Sequence, residues 1–138
     1  MSTVQAPSAT PVVPPDTTSN GTHASRSGVA HFTAPDERAL IEDCRYLLSF
    51  LPSWNGEQPP WEPPSDPVDR EDPELDRLIP DESAKPYDMH DVVRRVIDDG
   101  EFLEVHAAWA DNIICGFARL GGYPVGIVAN QPRSLAGV

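Results

Sequence analysis

The clearest hydrophobic rhythm in the chain runs from Leu40 to Leu51. Leu40, Ile41, Cys44, Leu47, Leu48 and Leu51 recur at helical spacing, which places them along one face of a helix. Just upstream, Thr33, Pro35, Asp36 and Glu37 supply a cap, an early proline and first-turn acids, and Pro52 stops the run. A lone helix of this length is marginal in water, so the pattern also predicts a partner surface over the stripe.

A second periodic unit opens at Asp88. Asp88 and Asp91 fit a capping arrangement, Met89, Val92, Val93, Val96 and Ile97 form an apolar face, and Gly100 supplies a stop. The rhythm then changes to strand-like runs over residues 102–109, 113–120 and 123–130. An Ala-Asp-Asn turn separates the first two, and Gly121-Gly122 joins the last two as a two-residue hairpin. The expectation is a helix followed by an antiparallel meander, with no repeat at a fixed period.

Between these units, residues 52–86 are crowded with prolines and acids, with Trp54, Trp61, Leu75, Leu78 and Ile79 as scattered apolar anchors. Such a stretch is uncommon inside a compact domain. It reads as an interdomain linker or as an arm laid over another surface by its tryptophans. Residues 1–21 are dominated by Ser, Thr, Pro and Ala and are expected to be a disordered tail, lacking the apolar surface that would offset ordering entropy.

Composition narrows the function. The 138 residues include 16 prolines and carry a formal charge of −12, which argues against a nucleic-acid partner, since phosphate binding needs clustered Lys and Arg. Cys44 and Cys115 are the only cysteines, so neither a disulfide framework nor a paired Cys-x-x-Cys zinc site is expected. The opening residues lack a basic region followed by an apolar one, and no run approaches the ~20 apolar residues of a membrane span. These features favour a cytoplasmic chain with no membrane association.

Side-chain chemistry is sparse. His23, His31, His90 and His106 show no ligand spacing and read as surface or edge histidines. Cys44 on an apolar face and Cys115 in a strand read as small buried hydrophobes. Asp98-Asp99 and Glu71-Asp72 read as solvated charge rather than as an acid–base pair or metal ligands. Gly121-Gly122 joins two strands instead of opening a helix, which excludes a phosphate loop.

Four segments in order carry a resemblance that these features do not. SRSGVAHF at 25–32, LLSFLPS at 47–53, DPELDRLIPDESAKPYDMHDVVRRVIDDGEFLEV at 72–105 and NIICGFARLGGYPVGIVANQP at 112–132 together resemble the carboxyltransferase (beta) subunits of biotin-dependent acyl-CoA carboxylases. The type is that of propionyl-CoA carboxylase and methylmalonyl-CoA carboxyltransferase, and the likeness runs from about Thr22 to Val138. It implies an α/β, mixed α+β fold made of two crotonase-like halves. Residues 22–53 would close the N-terminal half, 54–80 would be the linker between halves, and 81–138 would open the C-terminal half.

The resemblance also implies a reaction. The family moves a carboxyl group from carboxybiotin, carried on a separate protein, to the α-carbon of an acyl-CoA. Charge develops on the thioester and ureido oxygens, so fixed donors such as backbone amides at glycine-rich turns are what the chemistry requires. The implied partners are other carboxyltransferase subunits in a homo-oligomer and a biotin carboxylase or biotin carrier subunit.

The family's two oxyanion turns are expected upstream and downstream of this chain, so no catalytic residue is carried over and the chain alone is expected to be inactive. Asn130, Gln131, Ala136 and Gly137, around the corner after the last strand, are the candidate substrate-binding residues. Lys85, the only lysine, precedes a proline and lacks a biotin-attachment context, and no metal ligands are expected. The alternative is a non-catalytic interaction protein that joins or regulates a full-length carboxyltransferase oligomer through its uncovered helix faces.

Overall fold

The computed structural model describes residues 19–82 and 85–134. Its elements, in order, are helix α1 (Ser19–Ser25), α2 (Glu37–Ser49), a single turn α3 (Leu75–Leu78) and α4 (Met89–Val96). A 3-10 turn (Asp98–Gly100) and strands β1 (Leu103–Val105), β2 (Ile113–Leu120) and β3 (Tyr123–Asn130) follow. Helix α1 starts within the stretch expected to be a tail.

The strands form the expected meander, in the order β1-β2-β3 with both pairs antiparallel. Leu103 faces Phe117, and β2 pairs with β3 from Ile113↔Asn130 to Leu120↔Tyr123. Gly121 and Gly122, with φ of 59° and 83°, close the hairpin in the left-handed region that glycine enters freely. β1 is shorter than the expected 102–109 run. His106 turns to φ 60° and donates its backbone N–H to His31 O at 3.0 Å, which takes the chain out of the sheet.

Side chains alternate across β2, so each face of the sheet carries its own core. On one face Val93 and Ile97 of α4 pack on Ala118, with Met89, Phe102, Val125 and Ile127 around them. On the other, Tyr46 and Phe50 of α2 pack on Leu103, with Phe32, Leu47 and Phe117 alongside. Gly116 sits where β2 runs under Phe102. A Cβ there would lie 2.5 Å from Leu103 O and from the Phe102 ring, closer than any side chain tolerates.

Helix α2 forms as its pattern predicts but buries a different face. Asp36, not Thr33, is its cap, accepting from Ala39 N at 2.8 Å, and Pro35 precedes the helix. Phe50 is 3% exposed, whereas Leu48 is 64% exposed and Leu40, Ile41, Leu51 and Cys44 are also open to solvent. Cys44 is therefore not the buried small hydrophobe that its position in the stripe suggested. The aromatic pair wins because the sheet offers it Leu103 and Phe117; periodicity marks an apolar face but does not say what covers it.

Candidate functional site

The proline-rich stretch lies against the hairpin and α4. Trp61 Nε1 donates to Gly121 O at 2.9 Å, and Glu62 N donates to Gly122 O at 3.0 Å. Farther on, Arg70 donates to the carbonyls of Arg95 and Ile97, and Asp72 accepts from Arg95 at 2.8 Å. That hydrogen bond from Arg95 is the main cause holding the Asp72 carboxyl below its ordinary range. Asp72 is thus an anchoring acid rather than the solvated charge expected.

Asp98 departs further from that expectation. Its Oδ1 accepts from Gly121 N at 2.9 Å and its Oδ2 from Gly122 N at 2.7 Å. The two glycine amides point at one carboxylate, as an anion-binding turn would have them do, but the anion belongs to the chain. With Trp61 and Glu62 on the two carbonyls, every backbone polar group of the turn is taken. Asp99, at φ 54°, accepts from Ser65 N and Ser65 Oγ and so holds the arm.

Arg119 joins these parts. Its side chain, 12% exposed, donates to Ser49 O, Pro60 O and Glu62 and lies 4.9 Å over the Phe50 ring. Beside it, a cavity of about 60 Å³ is lined by Tyr46, Glu62, Asp98, Asp99 and Glu101, among others. Burial, then the Glu101 charge, pushes the Tyr46 hydroxyl up to about 12. Burial, then the Asp99 charge, raises Glu101 above its ordinary value.

The corner after β3 holds the sequence candidates that can be placed. Asn130 ends the strand with its side chain exposed, while Gln131 is 6% exposed. Gln131 Nε2 donates to Asp88 Oδ1 at 2.7 Å, and its Oε1 accepts from Met89 N at 3.1 Å. Its amide is thus spent on the start of α4. Ala136 and Gly137 lie outside the described residues.

His90, read from the sequence as a surface or edge histidine, lies half-buried in this corner, between Asp88 and Glu104. Arg133 Nη1 donates to Asp88 Oδ2 at 2.7 Å. Burial alone would raise the Asp88 pKa. Hydrogen bonds from Gln131, from the His90 backbone and ring, and from Arg133 outweigh it and hold the carboxyl well below the carboxylate range. His31 and His106, read as surface or edge residues, stack with ring centroids 4.1 Å apart, His31 exposed and His106 partly buried. Among the described residues no cluster of three or more His, Cys, Asp or Glu could hold a metal ion.

The chain belongs to the carboxyl transferase domain family, which it matches over residues 12–138. It is 51% identical over 116 residues to the propionyl-CoA carboxylase carboxyltransferase subunit of Haloferax mediterranei, covering 84% of this chain and 22% of that protein. It is also 51% identical over 115 residues to the methylmalonyl-CoA decarboxylase subunit alpha of Veillonella parvula, covering 83% of this chain and 23% of that one.

Among solved structures, it is similar to the transcarboxylase 12S hexamer with hydrolysed methylmalonyl-CoA bound. The TM-score is 0.80 at 40% identity, over 84% of this chain and 22% of that one. The chain therefore spans less than a quarter of the length of these relatives. No helix among the described residues is long and apolar enough to cross a membrane.

Proposed function

We propose that this chain is the part of a biotin-dependent carboxyltransferase subunit where its two halves meet. Residues 22–53 close one crotonase-like half, 54–80 connect, and 81–138 open the other. In the complete subunit, carboxybiotin on a separate carrier protein supplies the carboxyl group, and the α-carbon of an acyl-CoA such as acetyl- or propionyl-CoA receives it. A biotin carboxylase recharges the carrier in the cytoplasm. The supporting observation is the agreement of sequence and fold, 84% of the chain at 40% identity and TM-score 0.80 with a transcarboxylase holding hydrolysed methylmalonyl-CoA.

What these residues contribute is a scaffold. The reaction needs unoccupied donors aimed at developing oxyanions, yet the amides of the Gly121-Gly122 turn are already bonded to Asp98. Of the candidates that can be placed, exposed Asn130 is left to face substrate, and Gln131 orients that segment from beneath. The 138-residue chain by itself is then inactive. Carboxylation of propionyl-CoA by the purified chain, given carboxylated biotin carrier, would refute this, whereas activity restored by adding the remaining subunit segments would support it.

A second reading, association of the chain with a full-length carboxyltransferase oligomer without catalysis, is favoured by one observation. Leu40, Ile41 and Leu48 on α2, with Leu51 just past its end, are exposed apolar residues. Co-purification with a full-length subunit, abolished by Leu48→Asp, is the expected result. Failure to co-purify counts against it.

A further inference from the structure

His90 stands between two carboxylates. Its Nδ1 lies 2.9 Å from Asp88 Oδ1 and its Nε2 lies 3.0 Å from both oxygens of Glu104. An ionised carboxylate only accepts hydrogen bonds, and a neutral imidazole carries a single N–H. A neutral ring would therefore present a lone pair to one of the two carboxylates at bonding distance. The geometry is satisfied when both ring nitrogens are protonated.

The rest of the corner fits that state. Asp88 Oδ1 accepts from the His90 backbone N–H at 3.0 Å, from the ring at 2.9 Å and from Gln131 Nε2 at 2.7 Å. The 3.1 Å between Gln131 Nε2 and His90 Nδ1 is then the spacing of two donors that share one acceptor. The charged groups facing the ring are Asp88 from the cap of α4 and Glu104 from β1. Arg133, from the segment after β3, offsets Asp88 through its other oxygen. Two carboxylates, one guanidinium and one imidazolium balance. The His90, Asp88 and Glu104 side chains are each about three-quarters shielded from solvent.

We infer that Asp88, His90, Glu104 and Gln131 form a proton-dependent clamp, in which the His90 imidazolium ties the start of α4 to β1 and to the point where the chain leaves β3. Loss of that proton releases one carboxylate and loosens residues 131–134. The clamp holds or fails independently of any carboxyltransferase activity. Burial opposes the charged ring, but hydrogen bonds and charge from Glu104 and Asp88 outweigh it, so the His90 pKa lies above its ordinary 6.5. A folded pKa raised in this way makes the stabilisation complete below pH 6.5 and removes it as the pH climbs through the folded value.

Nitrogen-15 NMR of the imidazoles in the full 138-residue chain tests the ring directly. At pH 6.5 both His90 nitrogens are expected to be protonated, and a ring that is mostly neutral there overturns the clamp. Amide exchange tests the corner. After correction for the intrinsic pH dependence, the Met89 and Gln131 amides should exchange about tenfold faster above the His90 transition than below it, as expected for losing a charge-assisted hydrogen bond.

His90→Gln should show the fast rate at both pH values, and a profile matching the parent chain overturns the proposal. Should that variant fold poorly, Glu104→Gln leaves the ring in place. It should shift the His90 titration downward, and an unshifted titration is again fatal to the proposal.

Discussion

Replacing Asp98 with alanine removes the single acceptor of two backbone amides. Gly121 N and Gly122 N lie 2.9 and 2.7 Å from its two oxygens, and the left-handed backbone of the turn keeps both N–H groups pointed inward. Hydrogen bonds to a charged acceptor contribute roughly 1.5–3 kcal/mol each where the abandoned donor stays dry. Gly122 is buried and Gly121 only partly so, so water replaces part of the loss and the net cost is about 2 kcal/mol.

For a domain of this size, a loss of about 2 kcal/mol lowers the Tm by roughly 8 °C. Asp98→Asn keeps one acceptor oxygen and should lose about half as much. Urea unfolding followed by tryptophan fluorescence reads both variants, since Trp61 is bonded to the same turn. If Asp98→Ala unfolds within about 0.5 kcal/mol of the parent chain, the range of an ordinary surface substitution, then the carboxylate does not hold the turn. A loss as large in Asp98→Asn as in Asp98→Ala would show that charge or packing, not the acceptor count, matters.

Three further outcomes follow from the same structure. Gly116→Ala forces a methyl group against Leu103 O and the Phe102 ring and should cost about 1–3 kcal/mol by overpacking, read as a lower urea midpoint. Arg119→Met keeps the apolar stem over Phe50 but loses the bonds to Ser49, Pro60 and Glu62. It should cost roughly 2 kcal/mol and speed proteolysis within residues 54–64. Because the folded pKa of Asp88 is depressed from 3.8, its stabilisation is complete above the ordinary carboxylate range and is lost only as the pH falls below it. Asp88→Asn should remove that acid-side dependence, as checked by Tm from pH 2 to pH 6.

The parts of the fold legible in the sequence are those written locally. β2 and β3 begin and end where alternation and the glycine pair place them, because a two-residue turn fixes both register and ends. Helix α4 follows from its cap and its apolar face. The covered face of α2 was not legible: the periodic stripe left out Tyr46 and Phe50, and the partner surface that covers them, Leu103 and Phe117, arrives more than fifty residues later.

The corner after β3 was legible only in part. Asn130 and Gln131 were singled out through resemblance, yet the role of Gln131 depends on Asp88, forty-three residues earlier. His90 and Glu104, or Asp98 and the glycine pair, likewise carry no spacing that announces their contact. Side-chain pairs between distant segments leave no period in a sequence.

The arm over the hairpin also bears on how the chain folds. A two-residue hairpin closes in microseconds, but its turn is completed only when Asp98 docks and when Trp61 and Glu62 return across some sixty residues. Closing a loop of that length costs entropy that the local strand pairing does not recover by itself. Loop entropy therefore predicts that the meander forms first and the proline-rich segment fastens later. Until Asp98 docks, the two glycine amides are free donors, so a hairpin without it would attract anions that the finished turn turns away.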